Sequence, residues 1–250
     1  MTEAGFTLFG ALHWAILVSI AFVTWLCVAL YRAAPSRRID WSISACLASM
    51  LIGSKLVEVV AIWSAGRLTL QNGLQMHLCD WSVFLVALLL FFRMPLLYEL
   101  LYFWAVTGVS QALLTPDHSF LFSSWRMGAF FVSHGATLVG VLYLTFAHGM
   151  RPTASSIPKA FALTQVYVLS AALVDWLLIC NYGYLRTKPE SASLFDYLGP
   201  WPWYILAAEV VVFTLFTLAY LPYAWLDWRA ERRNAPPPIQ IQDTEFEKTI

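Results

Sequence analysis

Seven apolar runs dominate the chain, at roughly 6–31, 43–65, 76–92, 96–116, 125–148, 158–184 and 201–228, with polar stretches such as "APSRR", "GRLTLQNG" and "MRPTASSIP" between them. A helix needs about 20 mostly apolar residues to cross a bilayer, and each run is near that length. Inside lipid a backbone must satisfy its own N–H and C=O groups, which a helix does within one segment. The runs therefore predict an all-α membrane protein, a seven-transmembrane-helix bundle over residues 1–228. The stretch 229–250, with "APPP" and alternating charge, reads as a disordered cytoplasmic tail. Composition agrees: 60% of residues are hydrophobic and 12% charged, against about 25% charged in soluble domains. A net charge of zero gives no reason to expect nucleic acid as a partner. "MTEAGF" has no basic n-region, so the first run is read as a retained helix rather than a signal peptide.

Basic residues set the expected orientation. With the N-terminus outside, the cytoplasmic side holds Arg32, Arg37, Arg38, Arg93, Arg151, Lys159, Arg229, Arg232, Arg233 and Lys248, ten in all, against Arg67, Arg126, Arg186 and Lys188 outside. The C-terminus is then cytoplasmic, and the protein a multi-pass protein of the cell membrane.

Ionisable groups inside spans are costly and mark function by default. In this topology Lys55, Glu58, Cys79, His134, Asp175, Asn181 and Glu209 all fall in the outer half of their runs, with Gln111 and Thr115 ending the fourth run and His13 in the outer half of the first. The inner half is mostly aliphatic and aromatic beyond Glu99, Gln165 and His148. One polar cavity opening toward the outer leaflet is the economical reading. Structural alternatives stand beside it. Lys55 and Glu58, three apart, can simply pair on one helix face; His13 can be a hydrogen-bonded core imidazole; Asp175 and Glu209 can be neutral or paired with Lys55; His118 and His148 fall in or beside loops and read as solvated. Cys27, Cys46 and Cys180 sit in apolar surroundings and read as packing residues.

"MHLCDW", residues 76–81, differs, because His77, Cys79 and Asp80 open the third apolar run together. His77 and Asp80 share a helix face, whereas Cys79 is turned away from His77 by about 200°. A base for the Cys79 thiol must come from another helix, and His134 in "FFVSHG" lies at matching depth, about 12 Å into its run. No HxxH or CxxC spacing suggests a metal, and nothing calls for a cofactor or a protein partner.

"HLCDW", "YFWAVTGVSQALLTPD", "FFVSHG", "YLTFAHGMRP", "NYGYLRTKP" and "LGPWPWY" together resemble the bacterial YwaF-like integral membrane family, over nearly the whole chain except the tail. That family is similar to a eukaryotic transmembrane acyltransferase that remodels ether phospholipids. The resemblance implies a bacterial inner-membrane location and a catalytic pair in which Cys79 carries an acyl group and His134 activates it. A fatty acyl chain would move from a phospholipid to a lyso-lipid or to water through a thioester. His77, Asp80, Lys55, Glu58, Gln111, Asp175, Asn181, Glu209 and His13 would line the supporting polar pocket, and Lys55, Gln111, Asn181 or helix N-terminal amides would stabilise the oxyanion. Arg126, Arg186 and Lys188, with Arg67, would hold a lipid phosphate. The alternatives are a proton-coupled small-solute transporter, with Lys55, Glu58, Asp175 and Glu209 as its relay, and a non-catalytic membrane scaffold.

The orientation is checked with topology reporters. A fluorescent protein fused at Ile250 is expected to fluoresce and an alkaline phosphatase at the same site to be inactive; the reverse result inverts the topology.

Overall fold

The computed structural model describes residues 6–116, 124–189 and 193–234, and among these it is helical with no strand. The elements are α1 (Ala11–Ala33), α2 (Arg37–Ser64), the single turn α3 (Leu70–Gly73), α4 (Leu78–Phe92), α5 (Pro95–Trp104), α6 (Ser110–Leu114), α7 (Ser124–His148), α8 (Ser156–Leu178) and α9 (Trp203–Asn234). Among the described residues six helical segments are long and apolar enough to cross a membrane: α1, α2, α3 with α4, α7, α8 and α9. A further helical path runs from α5 through a π-helical turn, Ala105–Val109, into α6. The wide turn loosens the backbone ladder, and side chains repair it: Ser110 Oγ donates to the Ala105 carbonyl at 2.9 Å and Thr107 Oγ1 to that of Phe103 at 2.6 Å.

Local chemistry sets the breaks between helices. Ser36 Oγ accepts the Ile39 amide to start α2. Arg93 takes a left-handed conformation, φ 48°, to stop α4, and Pro95 opens α5 two residues later. α8 stops at Leu178 because Ile179 is left-handed, φ 57°. The 158–184 run is thus shorter as a helix than expected, and Asn181 lies in the loop beyond it. α9 instead overruns its expectation: the segment from Arg229 to Asn234, read as disordered tail, continues the helix, while the tail beyond it, 235–250, is outside the described residues, as is His118.

α7 is the hub. Buried residues make up 72% of its apolar window, against 11% for α1 and for α9. α1, α2 and α4 pack on α7, and α5 packs on α8. The core between them is aliphatic, with Leu47 and Leu51 of α2, Val86 and Leu89 of α4 and Val139 of α7. Leu169, Trp176 and Val210 are 70%, 77% and 67% exposed, as suits side chains that face lipid rather than water.

Two contacts fix the relation of α4 and α7. A Cβ on Gly140 would stand 2.9 Å from Val86 Cγ1, and His134, six residues earlier on α7, lies within electrostatic reach of Asp80, six residues earlier on α4. The two helices therefore run parallel and level. Glycine at 140 is what allows the close crossing. Gly140→Val is expected to overpack it by about 1–3 kcal/mol, seen as a lower melting temperature in detergent, whereas Gly128→Ala, which meets nothing within 4 Å, leaves it unchanged or higher.

Candidate functional site

A charged ladder crosses three helices at one end of the bundle. Lys55 Nζ of α2 donates to Asp80 Oδ1 of α4 at 2.5 Å and to Glu58 Oε2, one turn along α2, at 2.8 Å. Arg126 of α7 stands 3.8 Å from the other oxygen of Glu58. Lys55, Asp80 and Arg126 are all buried. Each charge thus faces an opposite one, which is the condition for keeping ions inside a membrane protein. Asp80 works on both sides: its Oδ2 accepts the His77 backbone amide at 2.9 Å, so the ladder also anchors the residue that caps α4.

His134 sits beside this ladder, with Lys55 and Asp80 both acting on its ring electrostatically. Its Nδ1 meets the Phe130 carbonyl at 2.9 Å and Ser133 Oγ at 3.2 Å. A carbonyl can only accept, so Nδ1 carries the proton and Nε2 the lone pair in the neutral ring. No hydrogen bond occupies Nε2 among the described residues. Phe130 lies against the ring at a 31° tilt, centroids 4.1 Å apart.

Cys79, half-buried, follows Leu78 at the start of α4. Asp80, Lys55 and Glu58 act on it, so it shares the ladder's electrostatic environment. Its sulfur makes no hydrogen bond to His134. The level, parallel crossing of α4 and α7 nonetheless keeps the two residues at one depth. His77 packs its ring edge-on to Tyr182, 5.1 Å between centroids, with Asp175 within electrostatic reach.

The structure thus gathers Lys55, Glu58, Asp80, His77, Cys79 and His134, with Asp175 at the margin. The remaining expected pocket residues lie elsewhere. His13 is a core imidazole, its Nδ1 accepting the Phe9 amide at 3.0 Å and its Nε2 bonded to the Leu113 carbonyl at 2.8 Å. Glu209 accepts from Gln165 at 2.7 Å between α8 and α9. Gln111 is exposed on α6. Asn181 staples its own loop, bonding the backbone of Arg186 and Thr187. Among the expected phosphate ligands, Arg126 is turned inward to Glu58 instead of facing the surface. Lys188 lies over the Tyr204 ring at 5.5 Å, and Arg186 reaches the Cys180 carbonyl at 3.3 Å. Cys46 is exposed on the bundle surface rather than packed inside.

A second polar cluster lies at the opposite end, where the apolar pattern had suggested none. Asp40 of α2 pairs with Arg93 and accepts from Tyr143 at 2.8 Å and His148 at 3.0 Å. His148, expected in solvent, is instead held here, with Tyr31 stacked on it at 4.5 Å. The available signal was Asp40, a carboxylate four residues after a helix-capping Ser36 and within reach of the basic turn at Arg93. Among the described residues no three His, Cys, Asp or Glu side chains converge as metal ligands.

Compared with known proteins, the chain matches the model of the TMEM164 family over residues 8–220. No curated protein and no solved structure matches it.

Lys55→Met is expected to leave Asp80 and Glu58 uncompensated and to cost about 3–5 kcal/mol, read as a loss of folded protein on heating in detergent. Combining it with Glu58→Gln and Asp80→Asn should recover much of that loss; no recovery would mean that Lys55 acts by packing rather than charge.

Proposed function

The chain belongs to the TMEM164 family, a multi-pass transmembrane protein, and from that premise we propose that it is a lipid acyltransferase or acyl hydrolase using Cys79 as nucleophile and His134 as base. The observation that carries this reading is the tautomer of His134: Nδ1 is committed to the Phe130 carbonyl, leaving Nε2 as an open base at the depth of Cys79. The motif resemblance to YwaF-like proteins and to the ether-phospholipid acyltransferase supports the same pair. In this reading seven helices cross the membrane with the N-terminus outside, in a bacterial inner membrane, and the substrates are phospholipids and lyso-lipids.

The chemistry runs in two halves. Cys79 loses its thiol proton to His134 Nε2 and its sulfur attacks an ester carbonyl carbon of a phospholipid, forming a C–S bond. The tetrahedral intermediate expels the glycerol oxygen, which takes the proton from His134 and departs as a lyso-lipid hydroxyl. A second hydroxyl, from another lyso-lipid or water, then gives its proton to His134 and attacks the thioester; the sulfur leaves and recovers the proton. The ladder of Arg126, Glu58, Lys55 and Asp80 keeps α2, α4 and α7 in register during both halves. An apolar groove of about 540 Å3 opens between α2 and α7, with Ser54, next to Lys55, and Ala129 on its floor, and offers room for an acyl chain at bilayer depth.

A transporter reading would need polar steps between the Lys55 and Asp40 clusters, and the layer between them is built from Leu47, Leu51, Val86 and Leu89, each 0–2% exposed.

Mass spectrometry of purified protein incubated with mixed phospholipid vesicles tests the proposal. We expect a hydroxylamine-labile acyl adduct on Cys79, and acyl transfer lost in Cys79→Ser, Cys79→Ala and His134→Ala at unchanged melting temperature. Full transfer by both Cys79 variants would sink the covalent mechanism.

A further inference from the structure

A buried hydroxyl ordinarily finds a partner, because leaving it bare forfeits its bonds to water. Tyr167 of α8 breaks this rule: it is 4% exposed, and its hydroxyl has no hydrogen-bond partner among the described residues. Its ring is wedged edge-on against Trp81, 5.6 Å away, and Trp104, 5.9 Å away, so the direction of the hydroxyl is set by packing. The oxygen is 3.2 Å from where a Cβ on Gly183 would stand, and Gly183 has φ +61°, so the backbone there closes over it. Cys79, Asp80 and Asp175 act on the hydroxyl electrostatically, and the backbone amide of Leu78 approaches its oxygen as a donor, which leaves the O–H itself without an acceptor. Tyr167 therefore points at the first turn of α4.

That turn has an open donor of its own. The amides of Asp80 and Trp81 are bonded to the His77 carbonyl at 2.9 and 3.2 Å. The amide of Cys79 meets no carbonyl among the described residues and faces its own sulfur, as befits the second position of a helix. The positive end of the helix dipole lies at the same place. Asp175, two turns along α8 from Tyr167, keeps one more bare atom: Oδ1 accepts the Tyr182 amide at 2.7 Å, and Oδ2 is unpartnered.

We propose that the Tyr167 hydroxyl and the Cys79 amide form the oxyanion site for a carboxylic ester carbonyl attacked by Cys79. The assignment rests on the acyl-transfer reading above and adds a catalytic residue to it. When the sulfur bonds to the carbonyl carbon, the π electron pair moves onto the carbonyl oxygen, and the two donors meet that negative charge. When the tetrahedral species collapses the pair returns, the C–O bond to the glycerol oxygen breaks, and the donors are released unchanged. The same donors serve the second half-reaction, in which the C–S bond breaks. The donors considered from sequence are otherwise engaged or placed: Lys55 holds two carboxylates, Asn181 is satisfied within its loop, and Gln111 is exposed on α6. Tyr167, whose O–H lacks an acceptor, loses only the approach of the Leu78 amide in Tyr167→Phe.

The test compares two reactions at the same sulfur. Acylation of Cys79 by p-nitrophenyl decanoate in detergent develops an oxyanion; alkylation of Cys79 by iodoacetamide does not. Both are followed by peptide mass spectrometry in wild type and in Tyr167→Phe. Removing one oxyanion donor is expected to slow acylation by about 10²–10³-fold, with alkylation within about twofold of wild type and an unchanged melting temperature. Acylation at the wild-type rate, or acylation and alkylation slowed together, overturns the role of Tyr167 while leaving acyl transfer standing. A wild-type protein that alkylates but does not acylate overturns the acyl-transfer reading, and this assignment with it.

Discussion

An ammonium group at membrane depth has to be met by anions, and Lys55 is met by two. Its bonds to Asp80 and Glu58 are the interaction on which the arrangement of α2, α4 and α7 depends. The attraction alone is weak justification for burying ions, since desolvation offsets much of it. What the ladder supplies is uniqueness. Slide α4 by one turn and Asp80 leaves Lys55, stranding an ammonium and a carboxylate apart inside the bundle. Because Cys79 is the residue next to Asp80, the position of the thiol follows directly from where Lys55 finds its counter-ion. The same holds for His134, whose helix is tied to the ladder one turn above its aromatic shelf by Arg126.

The opposite end repeats the device with different groups. Asp40 gathers Arg93, Tyr143 and His148, joining the start of α2 to the end of α4 and the end of α7. The three helices are therefore clamped at both ends, with a layer of Leu, Val and close-packed glycine between. A bundle in lipid has little hydrophobic drive to bring its helices together, so polar clamps at the ends and close packing at Gly140 carry the specificity. α7 is so much more buried than the other candidate spans because α1, α2 and α4 all pack on it.

Much of the fold was legible because the bilayer imposes one simple rule on length and hydropathy. The apolar runs mark the helices to within a few residues, and Pro95, Ser36 and the turn-rich stretches mark their ends. The break at Leu178 was harder to see, because it depends on a single non-glycine residue, Ile179, taking a left-handed backbone that no local signal announces. The overrun of α9 to Asn234 had a readable cue in "DWRAERRN", a good helix-forming stretch that its charge disguised as tail. Within the site, depth along a helix puts Lys55, Glu58, Asp80, Cys79 and His134 at one end of the bundle, since rise per residue is constant, but it puts Glu209 and His13 there as well. Azimuth is what one chain read alone does not encode: it sends Glu209 to Gln165, His13 to the Leu113 carbonyl, and Arg126 inward. Tyr167 was passed over for the same reason, an aromatic in an apolar helix being indistinguishable from packing until its hydroxyl is seen to be bare.

The site's division of labour follows from which helix each group occupies. The sulfur stands at the first turn of α4, where the helix dipole is positive, so negative charge developing there in the proposed reaction would be met by fixed donors. His134, the proposed base, stands on the central helix, its tautomer set by a main-chain carbonyl that does not titrate, and its ring set against Phe130. The charged ladder acts electrostatically on both but bonds to neither the sulfur nor Nε2, so in the proposed reaction its ions would hold position without competing for the proton. Such a layout separates structure from chemistry: the costly charges are neutralised among themselves, and the groups left open, Cys79, His134 Nε2 and the Tyr167 hydroxyl, are those an ester carbonyl and its incoming hydroxyl would need.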